Sequence, residues 1–168
     1  SQSEVERLSP RDALQKYRNY VRDGRDFPRS EFRSRHSAAT EAVGYGKTLM
    51  LFHMVRGRIG DESFRKWAAR FYREHRGRQA SFADVRRSLE AVSGQDFARF
   101  FADHVAKPGA ATLQVTVSGV RESGGAFEVS GTLRQAQEGD AFQLDVPIVH
   151  SLGMDLVFVL FPLDEETR

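Results

Sequence analysis

Residues 106–112, "AKPGAAT", are where the periodicity of the chain changes. Pro108 has no N–H with which to continue a helix, and Gly109 turns left-handed at no steric cost, so the pair stops whatever helix reaches it. Upstream, apolar residues recur every three to four positions; downstream they alternate with polar ones. The chain therefore reads as α+β. An N-terminal α-helical bundle of about five helices occupies residues 1–110 and a small antiparallel β-sheet or half sandwich occupies residues 111–168.

Working back from the stop, Asp96 opens a helix carrying Phe97, Phe100, Phe101 and Val105. Ser81, with Asp84 three residues on, resembles a capping box for a helix bearing Phe82, Val85, Leu89 and Val92, closed by Gly94. Asp61 caps a helix with Phe64, Trp67, Ala68 and Phe71 on one side, and the spacing predicts a further helix near residues 39–57. Its "LMLFHM" is apolar on most sides, which marks a central helix and makes His53 a core histidine. The first helix starts with Ser9 as N-cap and Pro10 at N1, presents Leu14, Tyr17 and Val21, and ends at Gly24. Working forward, "TLQVTVSGV", "AFEVSGTL", "FQLDVPIV" and "DLVFVLF" read as strands joined by the turns "ESGG" and "EGD". Four strands are too few to bury both faces alone, so the β-module needs cover from helices or from something else.

The composition narrows the classes of function. The 168 residues include 13 Phe, one Trp and no Cys, with 40% apolar residues, enough for a real core and excluding disulfides and thiolate metal sites. The compartment stays open. No apolar run approaches the roughly 20 residues of a membrane span, and "SQSEVERLSP" lacks the apolar stretch of a signal peptide, so the chain reads as a soluble segment, cut from something longer. Residues 1–110 carry 22 Lys+Arg against 14 Asp+Glu, a balance of +8, whereas residues 111–168 carry 3 against 9, a balance of −6. The arginines are interleaved with acids and form no stripe with aromatic stacking partners, so no nucleic-acid partner is expected. Solvated helix faces and attraction between the two halves account for the split.

"GYGKT", residues 44–48, ends as a phosphate-binding loop ends. A true loop of that kind needs a glycine five positions before the Gly-Lys pair and a strand in front. Position 41 is Glu41, and "RSRHSAAT" is no strand. Ser81 and Ser93 sit at helix ends without an adjacent base, and Asp61-Glu62 and Glu165-Glu166 look like a first turn and a solvated tail.

Four short motifs remain: Val43-Gly44-Tyr45-Gly46-Lys47-Thr48, Gly60-Asp61-Glu62-Ser63-Phe64, Ser93-Gly94-Gln95-Asp96-Phe97 and Pro108-Gly109-Ala110-Ala111. In this order and spacing, residues 40–117 resemble the C-terminal part of the catalytic domain of gluzincin zinc aminopeptidases, the membrane alanyl aminopeptidase-like metallopeptidase family. The resemblance implies that the tyrosine matching Tyr45 donates its hydroxyl to the oxyanion of the tetrahedral intermediate, with Gly44 and Gly46 letting substrate backbone approach. It also implies a zinc cofactor, a peptide substrate and removal of N-terminal residues. Thr48 stands where that family usually has glycine.

The zinc chemistry itself is not in these residues. It needs His-Glu-x-x-His and a further ligand, and His36, His53, His75, His104 and His150 supply none of that spacing; the amine-binding Gly-x-Met-Glu-Asn strand is also absent. The expectation is therefore that zinc and its ligands belong to an N-terminal half of an intact parent, that this chain alone binds no metal and does not hydrolyse peptides, and that its partners are that half and a peptide. The residues that bind substrate are not legible. The alternative is a non-catalytic helical protein-interaction module derived from the same family.

Overall fold

The structure, a computed structural model, describes residues 10–21, 26–34, 36–152 and 155–163. Its elements run α1 (Pro10–Tyr20), a 3-10 turn (Arg29–Glu31), α2 (Ala38–Glu41), a π turn (Ala42–Gly46), α3 (Lys47–His75), α4 (Phe82–Ser93), α5 (Ala98–Phe101), a second π turn (Ala102–Ala106), then β1 (Leu113–Ser123), β2 (Ala126–Gln135), β3 (Leu144–Leu152) and β4 (Asp155–Leu163). The fold is α+β in the order expected. Two compact units divide between Gly109 and Ala110.

Local end signals set the helices of the first unit. Ser81 accepts from the backbone N–H of Asp84, whose carboxylate accepts in return from the Ser81 N–H at 2.8 Å, a complete capping box that opens α4. Gly94 closes it at φ 69°, where a Cβ would be strained. Asp96 Oδ1 accepts from the Ala98 N–H at 2.7 Å and so starts α5. The expected second and third helices are joined as α3 across a kink at Gly60, with φ 78° and ψ 161°. Asp61 directs its carboxylate to Arg56, accepting from Nε at 2.6 Å and Nη2 at 2.8 Å across that kink.

Leu51, Val55, Trp67, Val85, Leu89, Phe97, Phe100, Phe101 and Val105 form the core, so α3 is central, as its composition implied. His53 is not part of this core: it is exposed, on the side of α3 opposite the buried Leu51 and Val55. α1 also packs differently from its expected face. Ala13 is buried and Leu14 is 53% exposed. The reason is a small-to-small contact, since the position a Cβ would take on Gly46 lies 3.8 Å from Ala13 Cβ and 3.6 Å from its carbonyl oxygen. Ser9 and Gly24, the expected cap and terminator of α1, lie outside the described residues.

In the second unit the strands pair two by two, β1 with β2 and β3 with β4, each pair antiparallel, and not as one four-stranded sheet. Gly124 and Gly125 both have positive φ, as the two central residues of a tight right-twisted hairpin turn require. A bulge between Val117 and Gly119 shifts the register by one, so that Val115, Val117 and Val120 stay on one face, opposite Leu133, Gly131 and Val129. That face is apolar and open, Val115 being 67% exposed and Val129 59%. Gly153 and Met154, between β3 and β4, fall outside the described residues.

Candidate functional site

Tyr45 and Lys47 are two positions apart, and at 3.6 residues per turn two positions are roughly 200° around a helix. One therefore faces out when the other faces in. The π turn Ala42–Gly46 carries Tyr45, and Lys47 opens α3 directly after it: Tyr45 is 52% exposed, while Val43 and Lys47 are buried. An extra residue in a helical turn is a costly irregularity that tends to occur where a side chain must be aimed.

Lys47 is a strut inside the protein. Its ammonium donates to Asp26 Oδ2 at 3.0 Å, to Asp26 Oδ1 at 3.3 Å and to the carbonyl of Gly109 at 2.7 Å. Asp26 also accepts from the Tyr17 hydroxyl at 2.7 Å, from the Phe27 N–H at 2.9 Å and from the Gly109 N–H. One carboxylate thus ties together α1, the loop before the 3-10 turn, the start of α3 and the Pro108-Gly109 stop. The Lys47 and Asp26 side chains are 8% and 14% exposed, so little water screens them. Burial lowers the Lys47 pKa against the opposing pull of Asp26. Arg29, 5% exposed, also feels Asp26; burial lowers its pKa to about 10, which leaves it charged at neutral pH. Thr48 is engaged too, its hydroxyl donating to the Gly44 carbonyl at 2.5 Å. With Lys47 bonded to Asp26 and Thr48 to its own helix, neither faces a phosphate.

Burial, and then the hydrogen bond to Asp26, push the Tyr17 phenol well above its ordinary value. The folded chain therefore keeps a proton that the unfolded chain releases from about pH 10 upward, so this contribution is full below pH 10 and is lost as pH rises further. Lys47, shifted down, works in the opposite direction. Denaturant melts at pH 8 and pH 10.5 should show that Tyr17→Phe loses less stability over that interval than wild type; an equal loss would mean that Tyr17 is solvated.

The two glycines around Tyr45 do not open a path for substrate, as the resemblance implied; both serve internal packing. A methyl group on Gly44 would fall inside the ring of Phe32, and Gly46 abuts Ala13. Phe32 in turn meets Tyr45 edge to face, with centroids 5.4 Å apart at 72°. The phenol is thereby held on a fixed base. Gly44→Ala should cost about 1–3 kcal/mol in a urea melt, because the added methyl must push the Phe32 ring off its contact with Tyr45. Phe32→Leu in the same chain should restore part of the loss.

Beside Tyr45, the crevice lined by Ala13, Lys16, Glu41, Ala42 and Gly46 holds about 10 Å³. That is room for about one water, too little for a substrate side chain at this spot among the described residues. Zinc finds no donor set here either: no three His, Cys, Asp or Glu converge among the described residues. His36 bonds Ser34 at 2.6 Å, His75 stacks on Phe71 at 4.2 Å, and His104 is buried against Phe100 at 4.5 Å.

Reading the sequence singled out Tyr45 and missed Asp26 and Arg29, which lie 21 and 18 positions from Lys47. A lysine inside the small, apolar run "AVGYGK" was the available signal, because a buried ammonium must find acceptors.

No helix among the described residues is long and apolar enough to cross a membrane. No protein-family profile matches the chain. Among curated proteins it is 31% identical over 81 residues to a leucyl aminopeptidase of Saccharolobus solfataricus, covering 48% of this chain and 10% of that protein. It is 27% identical over 77 residues to probable aminopeptidase 1 of Sulfurisphaera tokodaii, covering 46% and 10%. It is 28% identical over 81 residues to tricorn protease-interacting factor F2 of Thermoplasma volcanium, covering 48% and 10%. The chain thus aligns with only about a tenth of the length of these relatives, and part of it is related to aminopeptidases.

Proposed function

We propose that this chain is the end of the catalytic domain of a zinc-dependent aminopeptidase of the gluzincin type, the helical unit over residues 1–110 followed by a β-module over 111–168, and that in the intact protein it walls the substrate cleft and presents Tyr45 to the reacting carbonyl. The observation that carries this reading is the mounting of Tyr45. The phenol is half exposed on a π turn fixed from behind by Phe32, by the Thr48 hydroxyl and by the buried Lys47–Asp26 pair. A hydrogen-bond donor held in place before reaction stabilises developing negative charge without reorganising, which is what an oxyanion donor requires. In this reading Tyr45 donates its phenolic hydrogen to the carbonyl oxygen as it becomes an alkoxide, and Lys47 is the strut behind it. The zinc and the group that activates water lie in the part of the parent preceding this chain, which is its obligatory partner, and the substrate is a peptide with a free N-terminus.

The test compares the parent protein with the 168-residue chain in zinc content by atomic emission and in hydrolysis of aminoacyl anilides. The parent should hold one zinc and cleave, and the short chain should do neither. A parent without zinc or activity would favour a helical interaction module instead.

A further inference from the structure

The C-terminal end of α3 and the loop after it enclose a groove of about 450 Å³, lined by Trp67, Phe71, Tyr72, His75, Arg76 and Arg78 among others. That volume suits one or two side chains. Its floor is aromatic, and the ring faces there are already used: Phe52 stacks on Trp67 at 5.7 Å and 26°, and Phe71 stacks on His75 at 4.2 Å and 24°. What the floor offers is apolar ring edge, with Tyr72, 65% exposed, at the side. Its charged groups are two guanidinium donors. Trp67 is 5% exposed and its indole N–H is closed to solvent, so the ring serves as floor and not as a donor. Arg76 and Arg78 are exposed and have no acidic partner among the described residues, no carboxylate lines the groove, and the nearby Glu74 is held by Arg70 at 2.7 Å.

Two exposed guanidinium groups without an acidic partner among the described residues, beside an apolar floor, suit a ligand that brings negative charge and one apolar group. We infer that this groove docks an acidic peptide segment bearing a bulky apolar side chain. A single-stranded nucleic acid fits less well, because the Trp67 and Phe71 rings are already packed against Phe52 and His75 and only Tyr72 offers an open ring, one platform where successive bases need several. The inference is independent of the role given to Tyr45.

Trp67 is the single tryptophan of the chain, so its emission reports on the groove directly. The experiment titrates the 168-residue chain with acetyl-Asp-Glu-Leu-Phe-Asp-Glu-amide at low salt and repeats the titration with the Asn/Gln version of the peptide, with Ala-Ala in place of Leu-Phe, and with the double variant Arg76→Glu/Arg78→Glu, whose exposed positions leave the fold intact. The expected result is a saturable change in emission with affinity at least tenfold weaker in each of the three controls, and weaker in 0.5 M salt. No saturable change, or equal binding of either altered peptide, would overturn the inference. So would tighter binding of an eight-residue oligothymidylate, or an emission change that tracks the concentration of the chain itself and so marks a contact between two copies.

Discussion

Replacing Asp26 with alanine should destabilise the helical unit by about 3–5 kcal/mol, the range for stripping one partner from a buried charge pair. The single carboxylate answers the Lys47 ammonium, the Tyr17 hydroxyl and the Gly109 N–H, and its charge also offsets Arg29. Its loss leaves two buried cations facing each other without a counter-ion. Against a total stability of about 5–15 kcal/mol, that is enough to unfold a fraction of the chain at physiological temperature. Lys47→Met should cost less, because Asp26 keeps three donors and the neighbouring Arg29 charge. Combining Asp26→Asn with Lys47→Met should recover part of the Asp26 loss, since it removes the charged pair together. Urea melts followed by Trp67 emission give all three values. A cost below about 1 kcal/mol for Asp26→Ala would put the pair among solvent-screened surface bridges.

What the sequence makes legible is what is encoded locally. Ser81, Asp84 and Gly94 sit within a few residues of the backbone groups they satisfy, so the bounds of α4 follow from the string of letters. Gly60 marks a break in helical geometry for the same reason: only a residue without a Cβ takes its φ of 78° cheaply. Periodicity gives the α+β order but not the partner of each strand. All four strands alternate well enough to pair, and pairing between β2 and β3 is a matter of how the chain is laid out between them. His53 shows the limit of reading an apolar run: "LMLFHM" is apolar on most sides, but of its six residues only Leu51 is fully buried. The Tyr45 position is visible as a tyrosine between two glycines. Its mounting is not, because Phe32, Asp26 and Gly109 reach it or its strut from 13 to 62 positions away, and no local pattern records such pairings.

On the proposed role of Tyr45, Tyr45→Phe should have the second large effect, on reactivity and not on stability. The exchange removes one hydroxyl from a half-exposed ring, leaves the edge-to-face contact with Phe32 and the Lys47 strut in place, and so should leave the melting behaviour unchanged. Loss of a preorganised oxyanion donor costs about two to three orders of magnitude in turnover, roughly 2.7–4 kcal/mol of transition-state stabilisation. Because the donor acts on charge present only in the transition state, kcat should fall and KM should change little. The decisive measurement is kcat for aminoacyl-anilide hydrolysis by the full-length parent, wild type against Tyr45→Phe, with zinc content determined on the same samples. The account predicts equal zinc and a kcat lower by about 10²–10³; equal zinc with an unchanged kcat would contradict it.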